Sequence, residues 1–329
     1  MKTKTRIIAN ANAKGGVGKT TNTLGLCYAL SHDLGFDVLL VDGDPQASAT
    51  SDLGFEPDED TLHTLDELVR PVISLNLQEY EDFGYETAKE YWEDAKNKAY
   101  SIERIKEFIV TPKYLGLERD PENKIKWKEV LVPFGGNHKF DLLPCSINFS
   151  LCDTLMGIAS SNFGGQVYDA YIYDALKPIL EENLYDFIII DLPPQLSSIS
   201  MNLLTAAVDG VILDSNLDLQ SIKGFDTITT VVEQITNKYS LHRGILGILF
   251  SMYSSARKVD KQIEEIASEY VPIPVFDAKI PESTDAKKAI LQSRLFNQVN
   301  KKAHKAYEDF AKEIVYAMKY PSAPIGSNK

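Results

Sequence analysis

Near its start the chain reads Ile7-Ile-Ala-Asn-Ala-Asn-Ala-Lys-Gly-Gly-Val-Gly-Lys-Thr-Thr-Asn-Thr-Leu24. A short apolar run, typical of a strand, leads into a glycine-rich turn and then into a segment with helical spacing. Glycines leave successive backbone N–H groups open to an anion, and the start of a helix adds the positive end of its dipole. The stretch therefore predicts a strand, a phosphate cradle and a helix, which together begin a nucleotide-binding α/β fold.

Each residue type in this loop has a chemical reason to be there. Lys19 supplies a compact positive charge to the β- and γ-phosphates, the Thr20 hydroxyl can ligate Mg²⁺, and Thr21 can reach the α-phosphate. The strict P-loop pattern has glycine six residues before the lysine, where this chain has Ala13. The residues expected to touch the nucleotide are Gly15, Gly16, Val17, Gly18, Lys19, Thr20 and Thr21.

Carboxylates follow two further apolar runs. Val38-Leu-Leu-Val is followed by Asp42-Gly-Asp-Pro-Gln46, and Phe187-Ile-Ile-Ile by Asp191-Leu-Pro-Pro194. The carboxyl ends of parallel strands face the crevice where ligands bind in open α/β sheets. We expect Asp44 to order or deprotonate the attacking water, and Asp42 and Asp191 to hold Mg²⁺ together with Thr20.

These motifs resemble those of the ParA/MinD superfamily of P-loop ATPases. Lys14-Gly-Gly-Val-Gly-Lys-Thr-Thr21 is similar to its deviant Walker A motif, and the segment from Asp42 onward resembles the ParA partition ATPases most. The resemblance implies that Lys14 reaches across a homodimer to the partner's nucleotide and acts in catalysis with Lys19 and Asp44. It also implies that the backbone of Pro281 lies beside the adenine.

Strand and helix patterns alternate along the chain and predict a doubly wound, mostly parallel sheet. We expect residues 1–329 to form a single ParA-like domain, with no helix-turn-helix extension before the first strand. Residues 75–139 predict an insertion: one helical face between Tyr85 and Ile109, a strand from Lys124, and a hairpin turn at Gly135-Gly-Asn137.

The net charge of −13 argues against nucleic acid, but acidic residues crowd residues 56–129 while basic residues cluster toward the C-terminus. In ParA proteins the corresponding C-terminal segments touch DNA. The candidate DNA-binding residues are Arg257, Lys258, Lys261, Lys287, Lys288 and Arg294, with Lys301, Lys302 and Lys305 nearby. Ordinary solvated charge is the alternative explanation for each of them.

Composition limits the remaining possibilities. The chain has no run of eighteen apolar residues, and we expect a cytoplasmic, nucleoid-associated bacterial or archaeal protein without stable membrane association. Cys27, Cys145 and Cys152 form no CxxC pair, and Cys27 falls on the inward face of the first helix. An iron–sulfur ATPase would need cysteines near a dimer axis.

The resemblance implies an ATP-dependent DNA partition ATPase with ATP and Mg²⁺ as cofactors and a low basal rate. Its ATP-bound dimer would bind nonspecific DNA and be released when a ParB-type centromere-binding protein stimulates hydrolysis. Two alternatives stay open: a MinD-like membrane-positioning ATPase, which would need a basic amphipathic helix at its C-terminus, and a plasmid replication or copy-control ATPase.

Overall fold

A computed structural model describes residues 4–12, 16, 18–57, 61–75, 88–119, 127–159, 170–216, 219–254, 256–270, 272–282 and 301–321. The strands are β1 (Arg6–Ala11), β2 (Val38–Asp42), β3 (Lys113–Arg119), β4 (Trp127–Pro133), β5 (Phe140–Leu143), β6 (Phe187–Asp191), β7 (Gly210–Ser215), β8 (Ile245–Tyr253) and β9 (Val275–Pro281). The helices are α1 (Lys19–Tyr28), α2 (Ser48–Asp52), α3 (Leu65–Leu75), α4 (Ala88–Ala99), α5 (Ile102–Glu107), α6 (Phe149–Ala159), α7 (Tyr171–Glu181), α8 (Ser198–Ala206), α9 (Leu219–Lys238), α10 (Lys258–Tyr270) and α11 (Lys301–Lys319).

The main sheet has, among the described residues, seven strands in the order β5-β2-β6-β1-β7-β8-β9. Every pairing between its neighbours is parallel. Its central strands are continuous apolar runs because helices cover both of their faces. The predicted doubly wound sheet is confirmed, and it is entirely parallel over the described strands.

Two apolar cores lie on opposite faces of this sheet, because successive side chains of a strand point to opposite sides. Ile7 and Ala9 join the core beneath α3 and α6 to α9, whereas Ile8 joins the core beneath α1 and α11. Cys27 lies in the second core, as its helical spacing predicted. A π-helical segment, Ala29–Asp33, prolongs α1, and Gly35 follows with a φ of 77°.

A helical segment and a hairpin are present within residues 75–139, with two differences from the prediction, while their status as an insertion stays a prediction. The helical face is divided between α4 and α5, because the Ser101 hydroxyl caps a new helix by accepting a hydrogen bond from the Arg104 N–H. Strands β3 and β4 pair antiparallel, and their connection spans residues 120–126, outside the described residues. Tyr85 and Lys124 also lie outside the described residues.

The Gly135-Gly-Asn turn is therefore not the turn of this hairpin. It joins β4 to β5, which pairs parallel with β2, so the turn returns the chain to the main sheet. Gly135 suits the turn because a Cβ there would lie 2.3 Å from the carbonyl oxygen of His138. The outer edge of β5 is met by Val110, whose N–H and carbonyl both bond Leu142.

Candidate nucleotide site

Three strand ends meet at the carboxyl edge of the sheet. Asp191 of β6 lies in register with Asn10 of β1 on one side and with Asp42 of β2 on the other. The glycine-rich loop leaves β1 at the same edge. The predicted carboxylates and the loop are thus neighbours in the fold, although they are far apart along the chain.

The described part of the loop has the backbone expected of a phosphate cradle. Gly16 and Gly18 have φ values of 81° and 89°, which side chains rarely tolerate, and Gly18 directly precedes α1. A Cβ built on Gly16 would meet nothing within 4 Å, and one on Gly18 would lie 3.7 Å from Met252 at the end of β8. Ala13, Lys14, Gly15 and Val17 lie outside the described residues.

Asp191 is the centre of the site. Its Oδ1 accepts hydrogen bonds from Lys19 Nζ at 2.7 Å and from Thr23 Oγ1 at 2.8 Å, and its Oδ2 accepts one from Thr20 Oγ1 at 2.8 Å. The carboxylate is completely buried and the Lys19 side chain is 8% exposed. Lysine and threonine donors on the first turns of α1 therefore converge on one carboxylate.

Asp42 and Asp44 shape the neighbouring loop. Asp42 Oδ2 accepts hydrogen bonds from Thr50 N at 2.9 Å and Thr50 Oγ1 at 2.7 Å, and its Oδ1 accepts one from Asp44 N at 3.2 Å. Burial, with a contribution from nearby Asp191, raises the pKa of Asp42 to about 7. Both carboxylate oxygens of Asp42 thus accept hydrogen bonds from the loop, and its role toward Mg²⁺ stays a prediction.

Asp44 is 7% exposed, and its Oδ1 accepts a hydrogen bond from Gln46 N at 3.0 Å. Burial raises the pKa of its carboxyl group, and the Gln46 N–H and Lys19 partly offset that rise. A raised pKa makes a carboxylate a stronger proton acceptor. The environment of Asp44 is consistent with its predicted role toward water.

A buried polar network, which sequence reasoning missed, lies behind the loop. Asn10 Nδ2 donates to Thr23 Oγ1 and to Asp214 Oδ2, each at 3.0 Å. Asn22 of α1 also hydrogen-bonds the Asp214 carboxylate, and its Oδ1 accepts a hydrogen bond from the Tyr307 hydroxyl at 3.0 Å. The one available signal was a polar side chain at the end of an otherwise apolar strand. Through Tyr307 this network connects α1 to α11.

Pro281 and the described basic candidates Arg257, Lys258 and Lys261 lie toward the β9 edge. Pro281 ends β9 and pairs with Tyr253 of β8. Arg257 forms ion pairs with Asp260 at 3.1 Å and with Glu282 at 3.3 Å, so its charge is largely used within the fold. Lys258 and Lys261 are exposed at the start of α10. Lys287, Lys288 and Arg294 lie outside the described residues.

The remaining basic candidates lie on the C-terminal helix α11. Lys301, Lys302 and Lys305 are exposed on α11, where Lys305 pairs with Asp309 at 2.8 Å and with Glu308 at 3.3 Å.

Over the portion of the chain that is described, every helix is too short or too polar to cross a bilayer.

The site fits a nucleotide with magnesium. The carboxylate of Asp191 and the hydroxyl of Thr20 are the hard oxygen ligands that Mg²⁺ prefers, and they lie 2.8 Å apart. Lys19 lies beside them, and the backbone at Gly16 and Gly18 has the positive φ values that a phosphate-binding turn requires. The fold and this site together define a P-loop nucleotide-binding ATPase.

Comparison with known proteins gives the family. Residues 5–243 match the family described as AAA domain, and the chain belongs to that family as a member of its ParA group. It is 26% identical over 276 residues to the chromosome partitioning protein ParA of Myxococcus xanthus, covering 84% of this chain and 75% of that one. It is 24% identical over 311 residues to the sporulation initiation inhibitor protein Soj of Bacillus subtilis, covering 94% and 98%.

Solved structures share the fold. Cobyrinic acid a,c-diamide synthase from Mycobacterium smegmatis, with bound ADP and magnesium, superposes with a TM-score of 0.65 at 21% identity, covering 99% of this chain and 100% of that one. The ATP complex of a McdA variant from Cyanothece gives a TM-score of 0.66 at 20% identity, covering 95% and 97%. Nucleotide binding thus occurs within this fold family.

Proposed function

We propose that this chain is an ATP-dependent DNA partition ATPase. ATP with Mg²⁺ closes a homodimer in which each Lys14 contacts the partner's phosphates, and the dimer binds DNA without sequence preference. Hydrolysis through Asp44 releases it. The observation that carries the proposal is the convergence of Lys19, Thr20 and Thr23 on buried Asp191 beside the Asp42–Asp44 loop.

Phosphoryl transfer requires little from the protein beyond positioning of the reacting groups and neutralisation of the phosphate charge. Lys19 would neutralise the β- and γ-phosphates, while Thr20 and Asp191 would hold Mg²⁺, which supplies further charge neutralisation when bound. Asp44 would orient the attacking water and accept its proton. Because Asp44 is nearly buried and already hydrogen bonded, we expect a low basal rate until a partner completes the site.

The partners follow from the relatives' names and from charge. The two relatives described above include a chromosome partitioning protein. We infer that a ParB-type centromere-binding protein stimulates hydrolysis, and that the basic segment of such a partner is attracted by an acidic chain of net charge −13. Among the candidates on α10, exposed Lys258 and Lys261 would contact phosphates.

The decisive experiment compares the wild type with Lys19→Ala. We expect the variant to lose binding of a nonhydrolysable ATP analogue and, with it, dimerisation and DNA association. Lys98→Ala, which removes an exposed lysine of α4, serves as the control and should retain all three. Unchanged nucleotide binding and DNA association in folded Lys19→Ala would refute the proposal.

Liposome flotation with ATP separates this function from the MinD-like alternative. We expect the nucleotide-bound protein to stay with DNA and not to float with anionic vesicles. ATPase rates measured without DNA, with nonspecific DNA, and with the product of the adjacent downstream gene would then test the partition cycle itself. A rate insensitive to both additions would favour a different cellular role for the same ATPase.

A further inference from the structure

Thr50 occupies a junction between the loop that carries Asp44 and the end of β5. It is completely buried in α2, and both its N–H and its hydroxyl donate to Asp42 Oδ2, at 2.9 and 2.7 Å. The same hydroxyl oxygen accepts a hydrogen bond from Cys145 N at 3.0 Å. One side chain thus joins β2, α2 and the segment that follows β5.

The loop from Asp42 to Thr50, which the Thr50–Asp42 hydrogen bonds close, contains strained backbone. Ala47 has a φ of 50°, in the left-handed region that alanine rarely adopts, and it is 2% exposed. Strained backbone of this kind persists only where its surroundings over-determine it. The two Thr50–Asp42 bonds and the Ala47 N–H bond to the Asp44 carbonyl, 2.7 Å long, supply that restraint.

Beyond Cys145, the hydrogen bonds continue to the start of α3. Ser146 Oγ donates to Asp66 Oδ1 at 2.7 Å, and Thr64 Oγ1 donates to the same oxygen at 2.6 Å. The N–H of Leu65 bonds the carbonyl of Pro144 at 2.8 Å. Asp66 is 1% exposed, so these bonds are shielded from water. The segment at the beginning of α3 is therefore tied to the same strand end as Thr50.

We propose that Thr50 is a positioning residue for hydrolysis, which holds the Asp42–Gly43–Asp44 loop against the end of β5 so that Asp44 faces the nucleotide. Ser146 and Asp66 extend this restraint to the start of α3. This inference rests on the proposed ATPase function and on the role of Asp44 within it. Because the N–H and the hydroxyl of Thr50 are both bonded within the fold, we expect its effect to be on turnover and not on nucleotide affinity.

The test compares Thr50→Val, which keeps the shape and removes the hydroxyl, with Thr50→Ser, which keeps it. We expect kcat of Thr50→Val to fall about tenfold or more, because the variant loses both the hydroxyl bond to Asp42 and the bond from Cys145 N. Affinity for the ATP analogue should be unchanged, and Thr50→Ser should restore kcat to within about twofold. A defect in general folding would instead lower affinity and turnover together.

The chain offers a matched control at the opposite end of β5. Thr111 Oγ1 donates to Asp141 Oδ1 at 2.6 Å, so Thr111→Val removes the same kind of bond far from the nucleotide site. It should leave kcat at the wild-type value. Should Thr50→Val fail to fold, Ser146→Ala takes its place, with an expected fall in kcat of about threefold, since Asp66 keeps its bond from Thr64.

Three outcomes would overturn the inference. The first is a wild-type kcat in folded Thr50→Val, and the second is a fall in kcat of Thr50→Ser as large as that of Thr50→Val. The third, where only Ser146→Ala folds, is an unchanged kcat in Ser146→Ala. Asp44→Ala separates this failure from failure of the proposed function. Normal hydrolysis by Asp44→Ala would remove the assigned role of Asp44. An inactive Asp44→Ala beside a fully active Thr50→Val would leave that role intact and remove only the role of Thr50.

Discussion

The Lys19–Asp191 pair permits a quantitative test. The two charged groups are 2.7 Å apart, the lysine side chain is 8% exposed and the aspartate 0%. Removing one partner of a buried pair typically lowers the free energy of unfolding by about 3–5 kcal/mol, because the other charge is left buried without compensation. The hydroxyls of Thr20 and Thr23 still donate to Asp191, so we expect the lower end, about 3 kcal/mol, for Lys19→Ala.

Urea unfolding in the absence of nucleotide measures this loss. With an m-value of about 3 kcal/mol/M, the midpoint should move down by about 1 M. Asp191→Asn alone should also destabilise the protein, and the double variant should be less destabilised than the sum of the two, with a coupling free energy of about 1–3 kcal/mol.

Lys98 and Asp94 give the control, since they form a pair of the same 2.7 Å length with side chains 75% and 39% exposed. Solvent screens such a pair, and Lys98→Ala should change the free energy of unfolding by less than about 1 kcal/mol. If the losses of unfolding free energy in Lys19→Ala and Asp191→Asn add up in the double variant to within about 0.5 kcal/mol, the two residues are not coupled. That result would refute the geometry of the site.

Three further predictions concern the dimer, pH and DNA. Lys14→Ala should bind the ATP analogue yet sediment as a monomer with Mg²⁺, and a dimer at the wild-type concentration dependence would contradict the assigned contact. Burial raises the pKa of Asp214 to about 7, so the folded chain keeps a proton that the unfolded chain releases near pH 4. The free energy of unfolding should therefore fall as pH rises from about 4 to about 7, and Asp214→Asn should reduce that fall by at most ~4 kcal/mol in pH-dependent urea titrations. Replacing both Lys258 and Lys261 with glutamine should lower the slope of log affinity against log salt by about 2 if each contacts a phosphate, with an unchanged slope arguing that their charges are only solvated.

The motifs of the nucleotide loop and the two carboxylate strand ends could be recognised because each is local. Lys19 and Thr20 lie next to one another in the chain, and Asp191 ends a run of apolar residues that predicts a buried strand. The family match over residues 5–243 and the all-parallel sheet confirm the family and the fold class that these patterns predicted. The expected contacts of Lys14, Pro281 and the basic C-terminal residues remain predictions.

The region predicted as an insertion shows where local patterns were insufficient. Apolar spacing from Tyr85 to Ile109 does not reveal the cap at Ser101, which divides the helix by a single side-chain hydrogen bond. Gly135 and Gly136 predict a turn correctly, but only strand pairing determines which strands a turn connects.

From the sequence alone came the phosphate loop, the strands that lead to Asp42 and Asp191, and the alternation of strands and helices, because these depend on neighbouring residues and on periodicity. The tertiary structure alone decided that Thr23 contacts Asp191, that Asn10 contacts Asp214, and that Thr50 joins Asp42 to Cys145. These polar side chains carry no local signal, since their hydrogen bonds join segments brought together only by the order of strands in the sheet. Burial then makes those bonds energetically important, because a polar group removed from water must find its partner within the fold.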